Sequence, residues 1–214
     1  MKRLVRNSLP LPALAAAAVL LAGCSGSATV QPSAKAAPPA CPSAWLAGWQ
    51  KLANQIRSPV YCPSWMPSPL DAQIGGRYAN GRSVGGDRSY LVSFVSVDHD
   101  VGGVSGEVHV NFRGYPGHTA IPVCQDTITE NGATRRTRIP CFADRRWTKT
   151  IGGRSVTAYT ANQGADQWHV LYAWRKNGSL YALSEHVTPP YTYKQVVENL
   201  DHMMRGLVVV QPAA

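Results

Sequence analysis

Charged residues are scarce in this chain: Asp, Glu, Lys and Arg make up only 15% of its 214 residues. Long helical patterns are scarce too, while Gly and Pro, at 19 and 16 residues, are plentiful. That balance excludes a helical bundle and points to a β-rich globular protein. No apolar run reaches the ~20 residues that a membrane-spanning helix needs. Neither C-x-x-C nor a paired Cys/His ladder occurs, which removes the readable zinc frameworks. H-E-x-x-H is absent, and Gly103-Val-Ser-Gly106 lacks the G-x-S-x-G spacing of a nucleophile elbow.

What is present begins at the N-terminus. Met1–Asn7 carries Lys2, Arg3 and Arg6, and an apolar stretch of 14 residues, Leu9–Ala22, follows. A basic segment before a short apolar one has the form of a secretory signal. Leu21-Ala22-Gly23-Cys24 has the form of a lipobox: small residues fit the peptidase pocket, and a free thiol can accept a diacylglyceryl group. The N-terminus thus resembles that of bacterial lipoproteins, which implies cleavage between Gly23 and Cys24 and lipidation of Cys24. Acylation by more than one chain holds a protein stably at a membrane where one chain is marginal. The expected organisation is a signal peptide over 1–23, a lipidated disordered tether over 24–40 and one exported domain over 41–214. Ser25–Ala40 is too poor in large apolar residues to pack a core. As a flexible spacer it would average ~20–25 Å end to end and extend to ~55 Å. The location expected is the extracytoplasmic face of a cell membrane, with palmitate among the acyl groups. Nucleic acid is therefore not an expected partner. The formal net charge is +9. Three of those positive charges belong to the leader, and the remaining excess suits anionic headgroups or acidic envelope polymers.

With Cys24 assigned to lipid, Cys41, Cys62, Cys124 and Cys141 remain, an even count that reads as two disulfides in an exported protein. Sequential pairing, Cys41–Cys62 and Cys124–Cys141, is preferred among the three connectivities. Each bridge then closes a loop worth ~3 kcal/mol by the loop-entropy argument. The second would clamp an irregular, Arg-rich excursion.

Trp45, Leu46, Trp49, Leu52 and Ile56 recur at helical spacing over Ser43–Ile56, ended by Pro59. Pro63, Pro67 and Pro69 then impose an irregular passage. Period-two segments follow: Tyr90–Val97, Glu107–Arg113, Arg154–Thr160, Gln167–Trp174 and Leu180–Val187. Turn signals separate them, Asn80-Gly81, Gly102-Gly103, Asn131-Gly132 and Asn177-Gly178 among them. Trp168, Val170, Tyr172 and Trp174 would line one strand face. Thr192-Tyr-Lys-Gln195 has the form of a capping box, and Val196, Leu200, Met203, Met204 and Leu207 mark an amphipathic helix behind it. The fold class expected is α+β: a curved antiparallel sheet with one helix near each end of the domain.

From Gly152 to Leu207, the order strand, Trp-containing strand, Asn177-Gly178-x-Leu180-Tyr181 strand and capped helix resembles domains of exported bacterial proteins. The layout is distantly similar to periplasmic lipoprotein carriers and to sensors that regulate sigma factors. That resemblance implies a half-open sheet able to hold an acyl chain. The whole chain is similar to conserved actinobacterial lipoproteins, which implies the anchor and no activity.

Candidate chemistry is sparse. Asp98-His99-Asp100 offers metal-ligand types but adjoins a Gly-Gly turn. His109 and His169 sit opposite the large apolar residues of their strands and would meet if those strands were neighbours. Ser184, Glu185 and His186 alternate between faces and make no local triad. Arg135, Arg136, Arg138, Arg145, Arg146, Lys149 and Arg154 lie within 20 residues, opposed only by Asp144. They are candidate contacts to anionic lipid, at ~1 kcal/mol per charge near a surface, or to a cell-wall component. Trp168, Tyr172 and Trp174 are candidates for a ligand-pocket wall, or for core beneath the last helix. No cofactor or metal is expected. The expectation is a non-catalytic domain that binds or senses an envelope component, with an acyl-chain carrier and a cell-envelope hydrolase as alternatives.

Overall fold

A computed structural model of the protein describes residues 37–70, 84–98, 106–163 and 168–213. The leader, the lipobox, most of the tether, Asn80-Gly81, His99, Asp100 and the Gly102-Gly103 turn lie outside the described residues.

The apolar stripe read between Ser43 and Ile56 forms helix α1 over those residues, burying Trp45, Trp49, Leu52 and Ile56. Strand β1 (Val60–Pro63) follows. The central sheet then takes β2 (Tyr90–Asp98) and β3 (Gly106–Tyr115). A separate hairpin, β4 (Val123–Glu130) and β5 (Ala133–Pro140), precedes β6 (Phe142–Ile151) and β7 (Arg154–Asn162). The chain closes with β8 (His169–Lys176), β9 (Ser179–His186), α2 (Tyr193–Arg205) and β10 (Leu207–Val210). Six strands make one open antiparallel sheet in the order β2-β3-β9-β8-β7-β6. The fold is α+β, with the two helices found among the described residues near the two ends of the domain and disulfides Cys41–Cys62 and Cys124–Cys141. Among the described residues, no helix is long and apolar enough to cross a membrane.

Alternation along each strand divides the sheet into two faces. One carries Val110 and Phe112 of β3, Tyr172 and Trp174 of β8, and Tyr181 and Leu183 of β9. These pack with α1, α2 and the β1–β10 ribbon into the main core. The opposite face carries a smaller cluster around Phe142, Tyr159, Leu171 and Leu180, next to the Cys124–Cys141 bridge. The apolar stripe of α2 holds it on the sheet, and polar contacts fix its register. Thr192 and Gln195 form the reciprocal cap at its start. Tyr172 Oη donates to Asp201 at 2.9 Å, and Lys149 Nζ lies 2.7 Å from the same carboxylate. Arg154 donates to the carbonyls of Met204 and Leu207 at the other end of α2.

Two stretches differ from the sequence reading. The amphipathic pattern runs on to Leu207, but α2 stops at Arg205 and Leu207 opens β10, which pairs antiparallel with β1. Three successive β-branched residues, Val208–Val210, favour the strand once a partner is available. The Arg-rich excursion is regular, not irregular: β4 and β5 pair across the Asn131-Gly132 turn, whose positive φ values of 51° and 75° suit those two residues.

Candidate functional site

The aromatic residues read as one stripe separate. Tyr172 and Trp174 are buried in the main core, whereas Trp168 is 73% exposed. Trp168 precedes β8 and has φ 61°, so the strand alternation that would have turned it inward does not reach it. Its carbonyl accepts from Val187 N–H at 3.0 Å. The next carbonyl, of His169, accepts from the buried Asn162 amide at 2.6 Å. Backbone ties on two sides therefore hold a bulky side chain in water, in a conformation that such residues rarely adopt.

A second left-handed residue stands nearby. Asp144 has φ 54°, next to a β-bulge between Arg145 and Trp147. Bulges re-aim side chains and are over-represented beside functional sites. The Asp144 carboxylate accepts the Thr160 hydroxyl proton and a long hydrogen bond from Arg146 at 3.3 Å. The Thr160 hydrogen bond first, and the Arg146 charge with it, lower the Asp144 pKa below its usual value. Of the six non-glycine residues at positive φ among the described residues, Arg57 caps α1, Arg88 lies in a turn, and Asn131 and Asn177 sit in hairpin turns. The remaining two, Asp144 and Trp168, line the same cleft.

That cleft has a volume of about 330 Å³ and is lined by Asp144, Arg146, Thr160, Trp168, His169, Val170, Val187 and Tyr193. Its volume is at the small end of ligand sites. Tyr193, the first residue of α2, is 45% exposed, so two aromatic side chains and a charged pair face solvent together. A comparable hollow of about 360 Å³ lies between the Gly152-Gly153 turn and the end of β8. Two of its basic groups are committed elsewhere: Arg154 to main-chain carbonyls and Arg175 to the Thr119 carbonyl.

The sheet also gathers three histidines. His109 on β3 and His169 on β8 are separated by β9, which contributes His186 between them; ring centroids lie 4.3–5.1 Å apart. His169 is 2% exposed and joins this group to the cleft. Glu185 points to the opposite face, as the alternation requires. Among the described residues, no group of three His, Cys, Asp or Glu is arranged to hold a metal ion. Glu185 itself is fully buried and accepts from Asn199 at 2.7 Å, with its second oxygen lacking a hydrogen bond. Burial pushes its pKa up to about 8, with the Asn199 hydrogen bond opposing.

The basic residues do not act as one patch. Lys149 is tied to Asp201 and Arg154 to the end of α2, so both hold the fold together. Arg145 donates to Thr148, and Arg146 belongs to the cleft. Arg135, Arg136 and Arg138 are exposed on the β4–β5 hairpin, with Arg136 and Arg138 on one face and Arg135 on the other. Sequence reasoning singled out Trp168 and Arg146 but missed Asp144, Thr160 and Tyr193. A bulge at Arg145-Arg146-Trp147, where two charged residues adjoin, leaves no periodic signal.

Comparison with known proteins finds no matching family, no similar curated protein and no similar solved structure.

Proposed function

We propose that this chain is an exported lipoprotein, cut before Cys24 and lipidated there, which presents a non-catalytic binding domain at the outer surface of the cell membrane. In this reading the Trp168 cleft is the binding site for an envelope component. One observation carries it: a tryptophan held exposed at positive φ, opposite an aspartate in the same unusual conformation, with both lining one cleft. Strained residues persist only where their surroundings over-determine them, and they cluster at ligand-binding sites. The anchor rests on the basic leader, the lipobox and the spacer, and on the even cysteine count left once Cys24 is set aside.

The alternatives have less support. An acyl-chain carrier needs an open apolar interior beneath Trp174 and Met203, but both are buried among packed side chains in the main core. Glycoside hydrolysis uses two carboxylates flanking the scissile bond, and the described lining of the cleft holds one, Asp144.

The test is retention of the full-length, detergent-solubilised chain on envelopes isolated from the source cell. Trp168→Ala should reduce retention about tenfold, as loss of a central aromatic anchor does. Unchanged retention would sink the cleft as the site. Acyl labelling of the wild type, lost in Cys24→Ala, checks the anchor separately.

A further inference from the structure

Resting on the cleft reading, the geometry points to a ligand class: we infer that the Trp168 cleft takes a neutral, hydroxyl-rich glycan, stacking a sugar ring on Trp168. Four observations combine. First, the exposed indole at the rim, with Tyr193 close to it in the lining, offers flat apolar surface beside polar groups. Aromatic rings of this kind suit partners that are apolar on one side and wet on the other, as a pyranose is: its C–H face is apolar and its edge carries hydroxyls.

Second, the polar groups come in both senses. Asp144 is an acceptor, Arg146 a donor, and the Thr160 hydroxyl, whose proton goes to Asp144, keeps a lone pair to accept with. Sugar hydroxyls donate and accept together, so one ring edge can satisfy this mixed set. A phosphate or sulfate offers acceptors alone and would meet the Asp144 carboxylate.

Third, the cleft has little excess charge, because Arg146 faces Asp144 across 3.3 Å. An anionic surface would therefore gain little here, in contrast to the exposed arginines of the β4–β5 hairpin. An acyl chain fits worse, since it would cover a carboxylate and a guanidinium without hydrogen-bonding either.

Fourth, the polar set is oriented before any ligand arrives. Thr160 and Arg146 fix the Asp144 carboxylate, and the ties to Val187 and Asn162 fix the chain at Trp168. Preorganisation of this kind lowers the ordering penalty on binding.

The experiment is calorimetric titration of the full-length chain in neutral detergent with three probes. These are a β-1,4-linked N-acetylglucosamine tetramer, a neutral glucan oligomer, and glycerophosphoglycerol, the water-soluble headgroup of phosphatidylglycerol. The inference expects heat with at least one neutral oligosaccharide, little changed between 0.1 and 0.5 M salt. It also expects about tenfold weaker binding in Trp168→Ala and a similar loss in Asp144→Asn. Melting temperature of each variant checks that it remains folded, and Trp168→Phe, which keeps a stacking ring, should restore most of the affinity.

If only the phosphoglycerol headgroup binds, and Trp168→Ala abolishes that, the cleft is the site but the glycan assignment is wrong. If neither oligosaccharide gives heat while Trp168→Ala still releases the chain from envelopes, the glycan assignment again falls and the cleft stands. If oligosaccharide binding survives Trp168→Ala and Asp144→Asn unchanged, both readings fall together.

Discussion

The two hairpins closed by Asn-Gly turns, β8–β9 and β4–β5, begin from the same local chemistry and end in opposite environments. Both turns place Asn and Gly at positive φ, and both pair antiparallel without a break. Yet β8–β9 lies at the centre of the six-stranded sheet with most of its residues buried, whereas no residue of β4–β5 is buried. The turn sets which strands pair; the side chains decide what the pair joins. On β8–β9, apolar residues occupy both faces, so both must be covered. On β4–β5 the cross-strand pairs are Gln125 with Arg138, Thr127 with Arg136, and Thr129 with Thr134, which suit water on that face. A lone two-stranded ribbon is marginal, and here the Cys124–Cys141 bridge fastens its base to the main body.

If burial is what distinguishes the central hairpin, truncation there has the largest effect. Trp174 stacks on Tyr181 and meets Tyr61 edge-on, with ring centroids 5.7 and 5.2 Å away. Trp174→Ala should destabilise the protein by about 3–5 kcal/mol, the usual loss for a buried Trp, read by denaturant unfolding. A change below about 1 kcal/mol would mean that this hairpin, too, is held chiefly by its turn.

The next effect is pH-linked and also belongs to β8–β9. Glu185 normally titrates near 4.5 and does so near 8 in the fold, chiefly because it is buried. Between those values the folded chain keeps a proton that the unfolded chain has released. The contribution of Glu185 to stability is therefore most favourable below pH 4.5, falls as pH rises through this window, and carries the full penalty above pH 8. The slope for one such group is at most about 1.4 kcal/mol per pH unit. Glu185→Gln keeps an acceptor for Asn199 and removes the charge. It should flatten the decline between pH 5 and 8 and stabilise the protein at pH 8 by a few kcal/mol, as measured by unfolding at each pH. An unchanged slope would assign the decline to other groups.

The central hairpin was also the more legible one. Its alternation, its Asn177-Gly178 turn and the Thr192 capping box are local signals, and local signals are what a sequence displays. The same holds for α1, whose Trp45 and Trp49 spacing and terminal prolines mark its bounds. At β4–β5 the Asn131-Gly132 turn was visible, but its flanks of Thr and Arg lack the apolar alternation that announces a strand. The pairing of β10 with β1 joins residues far apart in sequence, so its strand character was hidden behind the helical stripe ending at Leu207. Likewise, the meeting of His109 with His169 required β9 to come between them, and His186 joined only through that topology. The candidate site was the least legible part. Trp168 continues the alternation of β8 in sequence, and only the backbone conformation at that residue turns it outward. Asp144 owes its position to a bulge, and bulges break the very periodicity used to read strands.

The smallest global effect should come from the outer hairpin, and it tests the comparison most directly. Cys124–Cys141 closes a sequence separation of 17 residues, for which loop entropy alone gives ~3 kcal/mol. That figure applies to a bridge constraining the whole folding unit. Here one cysteine lies in a hairpin that pairs with no strand of the central sheet, while the other packs beside Phe142 and Tyr159. Ordering lost from the hairpin need not be lost from the sheet. Cys124→Ser with Cys141→Ser should therefore remove most amide protection over 123–140 in hydrogen exchange. Protection in β8 and β9 should persist, and the global loss should stay below ~3 kcal/mol. Retained protection over 123–140 would mean that cross-strand Thr and Arg pairs suffice to hold a water-exposed ribbon. Collapse of protection in both hairpins would mean instead that β4–β5 folds cooperatively with the sheet, and that the contrast between buried and exposed hairpins is one of accessibility alone.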